Sequence, residues 1–198
     1  ELLVDYNTQR EKPDQSPYES MRQNMASCSG LSILLTDAFR AVAIPSRIAG
    51  TPNWYDNRGN HNWCEVWVGG QWHFTEYYPD TLDRAWFLPD AGKADANDRA
   101  HAIWASSFKP TGESFPLVWD STITYVPALN VTPRYIALAN SELNAKLHEY
   151  GIQYKQGDQW FLYQEYAQLG YTQSSTHVID DEHSRMSTKW TQKGRLFI

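Results

Sequence analysis

The chain has 198 residues, 41% hydrophobic and 20% charged, a balance that excludes a disordered tail and allows one domain with a sizeable core. A formal charge of -6 and a pI near 5.5 argue against nucleic acid as an obligate partner. No apolar run approaches the roughly 18 residues that span a bilayer, so no membrane span is expected.

Residues 1–20 are polar, with Pro13 and Pro17, and read as an extended arm. From Cys28 onward, Leu31, Leu34, Leu35, Ala38, Phe39 and Val42 recur at helical spacing, with Ser27 placed to cap and Pro45 to stop, which predicts a buried helix over 27–42. A short strand follows at 46–51, then a loop rich in Asn, Asp and Gly. Residues 61–68 and 71–75 read as two strands joined by the hairpin signal Gly69-Gly70. Beyond Pro79 the chain is loop-rich to about residue 100, with strands expected at 101–108 and 119–125. A helix is expected over 136–150, strands at 159–163 and 195–198, and mixed polar chain over 177–193. This divides into an arm (1–20), a chemical core (21–110) and a C-terminal extension or small lobe (111–198).

Three residues carry chemistry. A thiol at a helix start, Cys28, has its pKa lowered by the unpaired N–H groups and the helix dipole. His61 opens one hairpin strand and Glu76 closes the other, so an imidazole and a carboxylate end side by side. Such a set supports thiol acyl transfer: the thiolate attacks, the imidazole moves the proton, and the carboxylate orients the ring. Asp80 and Asp83 are the alternatives for the third position. Beside the Cys28 backbone N–H, Gln23 and Asn24 are candidates to donate to an oxyanion. Trp54, Tyr55, Trp63 and Trp86 are candidates to wall a substrate cleft, or else belong to the core. By strand alternation Cys64 faces away from His61 and is assigned to the core. His73 is peripheral, and Arg47 is expected to pair with Asp37 or Glu65. Cys28, Cys64 and His61 do not form a spaced ligand cluster, so no metal is expected, and the chemistry needs no cofactor.

The run from Cys28 through Ile44-Pro45-Ser46-Arg47-Ile48-Ala49-Gly50, and the run His61-Asn62-Trp63-Cys64-Glu65-Val66-Trp67 with Gly70-Gln71-Trp72, resemble the core of the transglutaminase-like superfamily over roughly residues 22–90. The resemblance implies an α+β, papain-like fold, with the Cys-bearing helix packed on an antiparallel sheet, and a Cys-His-Asp triad. Cys28 and His61 map directly. The family's Asp falls four residues after the hairpin Trp, where this chain has Glu76, one methylene longer. The implied activity is amide cleavage through a Cys thioester, on a peptide or protein substrate. Its rivals are a protein-glutamine cross-linking transglutaminase and a non-catalytic peptide- or glycan-binding module. The chain starts at Glu1 without Met, which fits a secreted or periplasmic protein whose targeting segment has been removed.

Overall fold

The structure, a computed structural model, describes residues 3–78 and 81–149 and the short strands within 153–197. Contacts divide the chain into two units, 1–139 and 140–198.

The first unit is built on a five-stranded sheet. Its strands are β3 (Ser46–Thr51), β4 (His61–Val68), β5 (Gln71–Thr75), β6 (Trp104–Ser106) and β7 (Ala128–Asn130), in the order β5-β4-β3-β6-β7. Every pairing is antiparallel. A separate parallel pair joins β1 (Asp5–Tyr6) to β2 (Met25–Ala26). The helices of this unit are α1 (Pro17–Gln23), α2 (Cys28–Ala41), the short α3 (Leu88–Ala91) and the first turns of α4 (Thr132–Glu149). The α+β, papain-like architecture expected from the sequence is the one present, with α2 packed on β3 and β4.

The sheet is covered on both faces. Asn62, Cys64 and Val66 point to the α2 side, where the Thr36 hydroxyl donates to the Cys64 sulfur. Trp63 and Phe74 lie on the opposite face, packed with Phe87, Leu88 and Tyr135. Residues 62–66 are therefore buried without the in-out alternation of a half-exposed strand. Cys64 is fully buried, as its place in the alternation required.

Three stretches differ from the sequence expectation. The lead-in at 1–20 contains β1 and most of α1, and the helix has a legible start signal. Ser16 accepts from the Glu19 N–H, Glu19 accepts from the Ser16 N–H at 2.8 Å, and Pro17 occupies the first turn. The strand expected over 119–125 is not formed. Asp120 Oδ1 accepts from the Thr122 N–H at 3.0 Å and bends the chain, and the last strand of the sheet is β7. The helix expected from 136 begins four residues earlier, at Thr132.

The second unit contains two antiparallel pairs, β8 (Gln153–Gln156) with β9 (Gln159–Leu162), and β10 (Lys189–Trp190) with β11 (Leu196–Phe197). β9 and β11 fall where strands were expected; most of the polar stretch 177–193 lies outside the described residues.

Gly50 on β3 faces Asn62 across the ladder. A Cβ there would run into the Asn62 side chain and come within 2.5 Å of the His61 carbonyl oxygen. Gly50→Ala is therefore expected to lower stability by about 1–3 kcal/mol and to displace the start of β4. Urea unfolding with Cys28 alkylation in parallel would check this, and unchanged values in both would contradict it.

Candidate active site

Ser27 caps α2 by accepting the Gly30 N–H at 3.1 Å, which leaves Cys28 in the first turn with its own N–H free of an intrahelical partner. The strand register does the rest. Cys64 pairs with Thr75, so the next residue out, Glu76, falls opposite Trp63 and on the same face as His61, its diagonal neighbour. His61 Nε2 and Glu76 Oε1 are 2.6 Å apart, and their side chains are 13% and 16% exposed. With Nε2 engaged by Glu76, Nδ1 is the ring nitrogen available to the sulfur. Cys28 and His61 line the same cavity, close enough for each to shift the other's titration.

The electrostatics follow from these contacts. Burial alone would raise the Cys28 thiol; the His61 hydrogen bond and charge outweigh it, helped by the Asn62 backbone N–H and the Ser29 side chain, and the thiol titrates below its ordinary value. Burial alone would lower His61; Cys28 and Glu76 together overcome it and raise the ring to about 9. The arrangement favours a thiolate facing an imidazolium. Because the His61 value is raised, its contribution to stability is complete below 6.5 and is lost as pH rises through about 9. The other cysteine behaves oppositely: burial pushes the Cys64 thiol up to about 11. Both cysteines are free.

Cys28, His61 and Glu76 open onto one cavity of about 470 Å³. Trp63 and Trp86 line it; Trp54 and Tyr55 do not. Trp54 is in the core, stacked on Trp63 with ring centroids 6.3 Å apart, and Tyr55 stands outside beside Lys93.

Gln23 and Asn24, the oxyanion candidates, do not line the cavity either. Asn24 ends α1 in the left-handed region (φ 53), and β2 then separates it from Cys28. The Gln23 side-chain Oε1 instead accepts the Glu11 N–H at 3.1 Å. Asp83 accepts the Phe74 N–H at 3.0 Å and pairs with His73, so it is committed elsewhere; Asp80 lies outside the described residues.

Several participants carried no sequence signal strong enough to single them out. Asn62 donates to the Ser29 hydroxyl at 2.6 Å while its backbone N–H reaches the Cys28 sulfur. Tyr6, Leu31, Tyr77 and Tyr78 complete the cavity wall. Beneath it, Glu65 accepts from Arg47 at 2.6 Å, Arg134 at 2.5 Å and Tyr135 at 2.7 Å, and Trp63 Nε1 donates to the Tyr135 hydroxyl at 2.6 Å. Of the two partners expected for Arg47, Glu65 is the one it has.

A sheet flanked by helices, with a thiol at one helix start, defines a papain-like α+β unit. Residues 3–79 match the family model of the Transglutaminase-like superfamily, the family that the sequence motifs resemble. Residues 129–198 match a second model, the Phage antirepressor protein KilAC domain. Neither match reaches half of the chain. The second overlaps the first unit, since β7 and Tyr135 pack within residues 1–139. No curated protein matches the chain. Among the described residues, no helix is long and apolar enough to cross a membrane, and no group of three or more His, Cys, Asp or Glu is arranged to hold a metal.

Proposed function

We propose that the first unit cleaves an amide bond in a peptide or protein through a Cys28 thioester. The Cys28 thiolate attacks the carbonyl carbon, and the protonated His61 gives its proton to the leaving amine as the C–N bond breaks. A water then attacks the thioester and passes its proton to His61, and the thiolate leaves. Glu76 holds the ring so that one nitrogen faces the sulfur through both steps. The free N–H at the start of α2 is the donor we assign to the negative charge on the carbonyl oxygen.

The single observation that carries this reading is Cys28 and His61 opening onto one cavity, with the His61 ring braced by the Glu76 carboxyl group at 2.6 Å. The test is a peptide library scored for cleavage and for incorporation of an added primary amine, with Cys28→Ala as control. Cleavage lost in the control supports the reading. Amine incorporation without cleavage transfers it to a cross-linking enzyme, and neither product sinks it in favour of a binding module.

Glu76→Gln gives a sharper check. It removes the charge and one acceptor from a ring that both help to keep protonated, so turnover should fall by about 100-fold. The alkaline limb of the pH–rate profile, set by His61 at about 9, should move to lower pH. Unchanged turnover and an unchanged limb would remove Glu76 from the orienting role.

A further inference from the structure

We propose that the open side of the cavity is a subsite for an uncharged aromatic or apolar side chain next to the scissile amide; this rests on the acyl-transfer reading above. Three large aromatic residues surround the nucleophile and remain exposed: Trp86 at 61%, Tyr6 at 54% and Tyr78 at 49%. The Trp86 ring centroid lies 5.0 Å from that of His61, tilted by 54°, so the indole forms a shelf beside the ring that moves the proton. Its other ring contacts, with Trp54 and Phe87 at 6.3 and 5.9 Å, tie the shelf to the core. Tyr78 is fixed as well: its hydroxyl accepts the Tyr6 N–H at 2.8 Å and joins the segment after Glu76 to β1. Leu31, three residues after Cys28 on α2 and 4% exposed, provides an apolar floor.

Three exposed aromatics converging on one cavity form an apolar surface that folding leaves uncovered, the mark of a binding site. Charge narrows the occupant. Among the described residues, no Lys or Arg lines the cavity. An acidic side chain entering the cavity would meet the Glu76 carboxyl group on its wall and no Lys or Arg partner among the described residues. The cavity's volume, about 470 Å³, accommodates an aromatic side chain together with the amide being cleaved. Tyr6 precedes Cys28 in sequence, whereas Tyr78 and Trp86 follow Glu76, so the subsite exists only in the folded unit.

The test uses the full chain and needs no known substrate. Cys28 is alkylated with iodoacetamide, N-benzyl iodoacetamide, N-iodoacetyl glutamate and a cationic N-aminoethyl iodoacetamide. Each displaces iodide by the same reaction, and each rate is divided by that of a small free thiol. The expected order is benzyl fastest, by about 10-fold over iodoacetamide, and glutamate slowest. Trp86→Ala should reduce the benzyl preference to below about 3-fold, with the far-ultraviolet circular dichroism unchanged. Tyr78→Phe, which keeps the ring, should retain it. Equal normalised rates for all four probes, at a Cys28 that still outpaces a free thiol, would overturn the subsite and leave the acyl-transfer reading standing. Preference for the cationic probe would overturn the apolar occupant. A Cys28 no faster than a free thiol with every probe would overturn both.

Discussion

Glu65→Ala is expected to remove about 3–5 kcal/mol of stability, although residue 65 is remote from solvent and from the thiol. The carboxylate is fully buried and receives three donors: Arg47, itself 7% exposed, Arg134 and the Tyr135 hydroxyl. Deleting it leaves the buried Arg47 guanidinium without the carboxylate it pairs with, leaves Arg134 only the Asp83 carboxylate at 3.6 Å, and leaves the Tyr135 hydroxyl without its acceptor. Burial, reinforced by the Glu65 charge, raises the Tyr135 phenol well above its ordinary value, so it remains a neutral donor across the working pH range and cannot relax by ionising. A loss of this size is a large share of the stability of an ordinary domain. By contrast, exposed pairs such as Arg22 with Glu11 should cost under about 1 kcal/mol. Urea unfolding of both variants measures the difference. Should Glu65→Ala fail to accumulate, Tyr135→Phe provides the graded version, with an expected loss of about 1–3 kcal/mol. A Glu65→Ala protein within 1 kcal/mol of the parent would contradict this account of the network.

The second large effect is on turnover. Cys28→Ala and His61→Ala should each reduce cleavage by roughly 10⁴–10⁶-fold, and the double variant should be no worse than the poorer single one. The reason is that the two groups act as one unit. Without the sulfur there is no thioester to form, and without the ring the sulfur loses the charge that keeps it ionised and the leaving amine loses its proton source. Each single removal therefore forfeits what the pair supplied. Losses that multiply in the double variant would show that the two residues act independently and would refute their pairing.

The hairpin and the helix were legible in the sequence because each was marked at both ends. Ser27 and Pro45 bracket α2, and Gly69-Gly70 separates two β-rich runs, so the positions of Cys28, His61 and Glu76 followed from local pattern and register alone. What was not legible depends on distant chain. Trp63 alternates correctly but gives no sign that its indole donates to Tyr135, 72 residues on. Four aromatics near the site look alike in the sequence, yet Trp54 is buried in the core cluster with Phe87, Leu88 and Ala91, whereas Trp86 touches Phe87 only at its edge and stays 61% exposed. Gln23 and Asn24 are close to Cys28 in sequence, but the left-handed turn at Asn24 and β2 carry the chain on before Cys28 begins α2. The capping box at Ser16–Glu19 was a signal that could have been read. Charge averaged over the whole chain described neither unit separately, and it gave no hint of the KilAC match over 129–198.

The most direct measurement is the pH dependence of Cys28 alkylation in the parent and in His61→Ala. Cys64, buried and raised to about 11, stays silent and isolates the signal. In the parent, the Cys28 midpoint should lie below that of an ordinary thiol, because His61 outweighs the cost of burial. In His61→Ala only the burial remains opposed by weaker donors, and the midpoint should move upward, toward or past the ordinary value. The same midpoint in both proteins would mean that the imidazole does not govern the sulfur, and the proposed chemistry would fail with it.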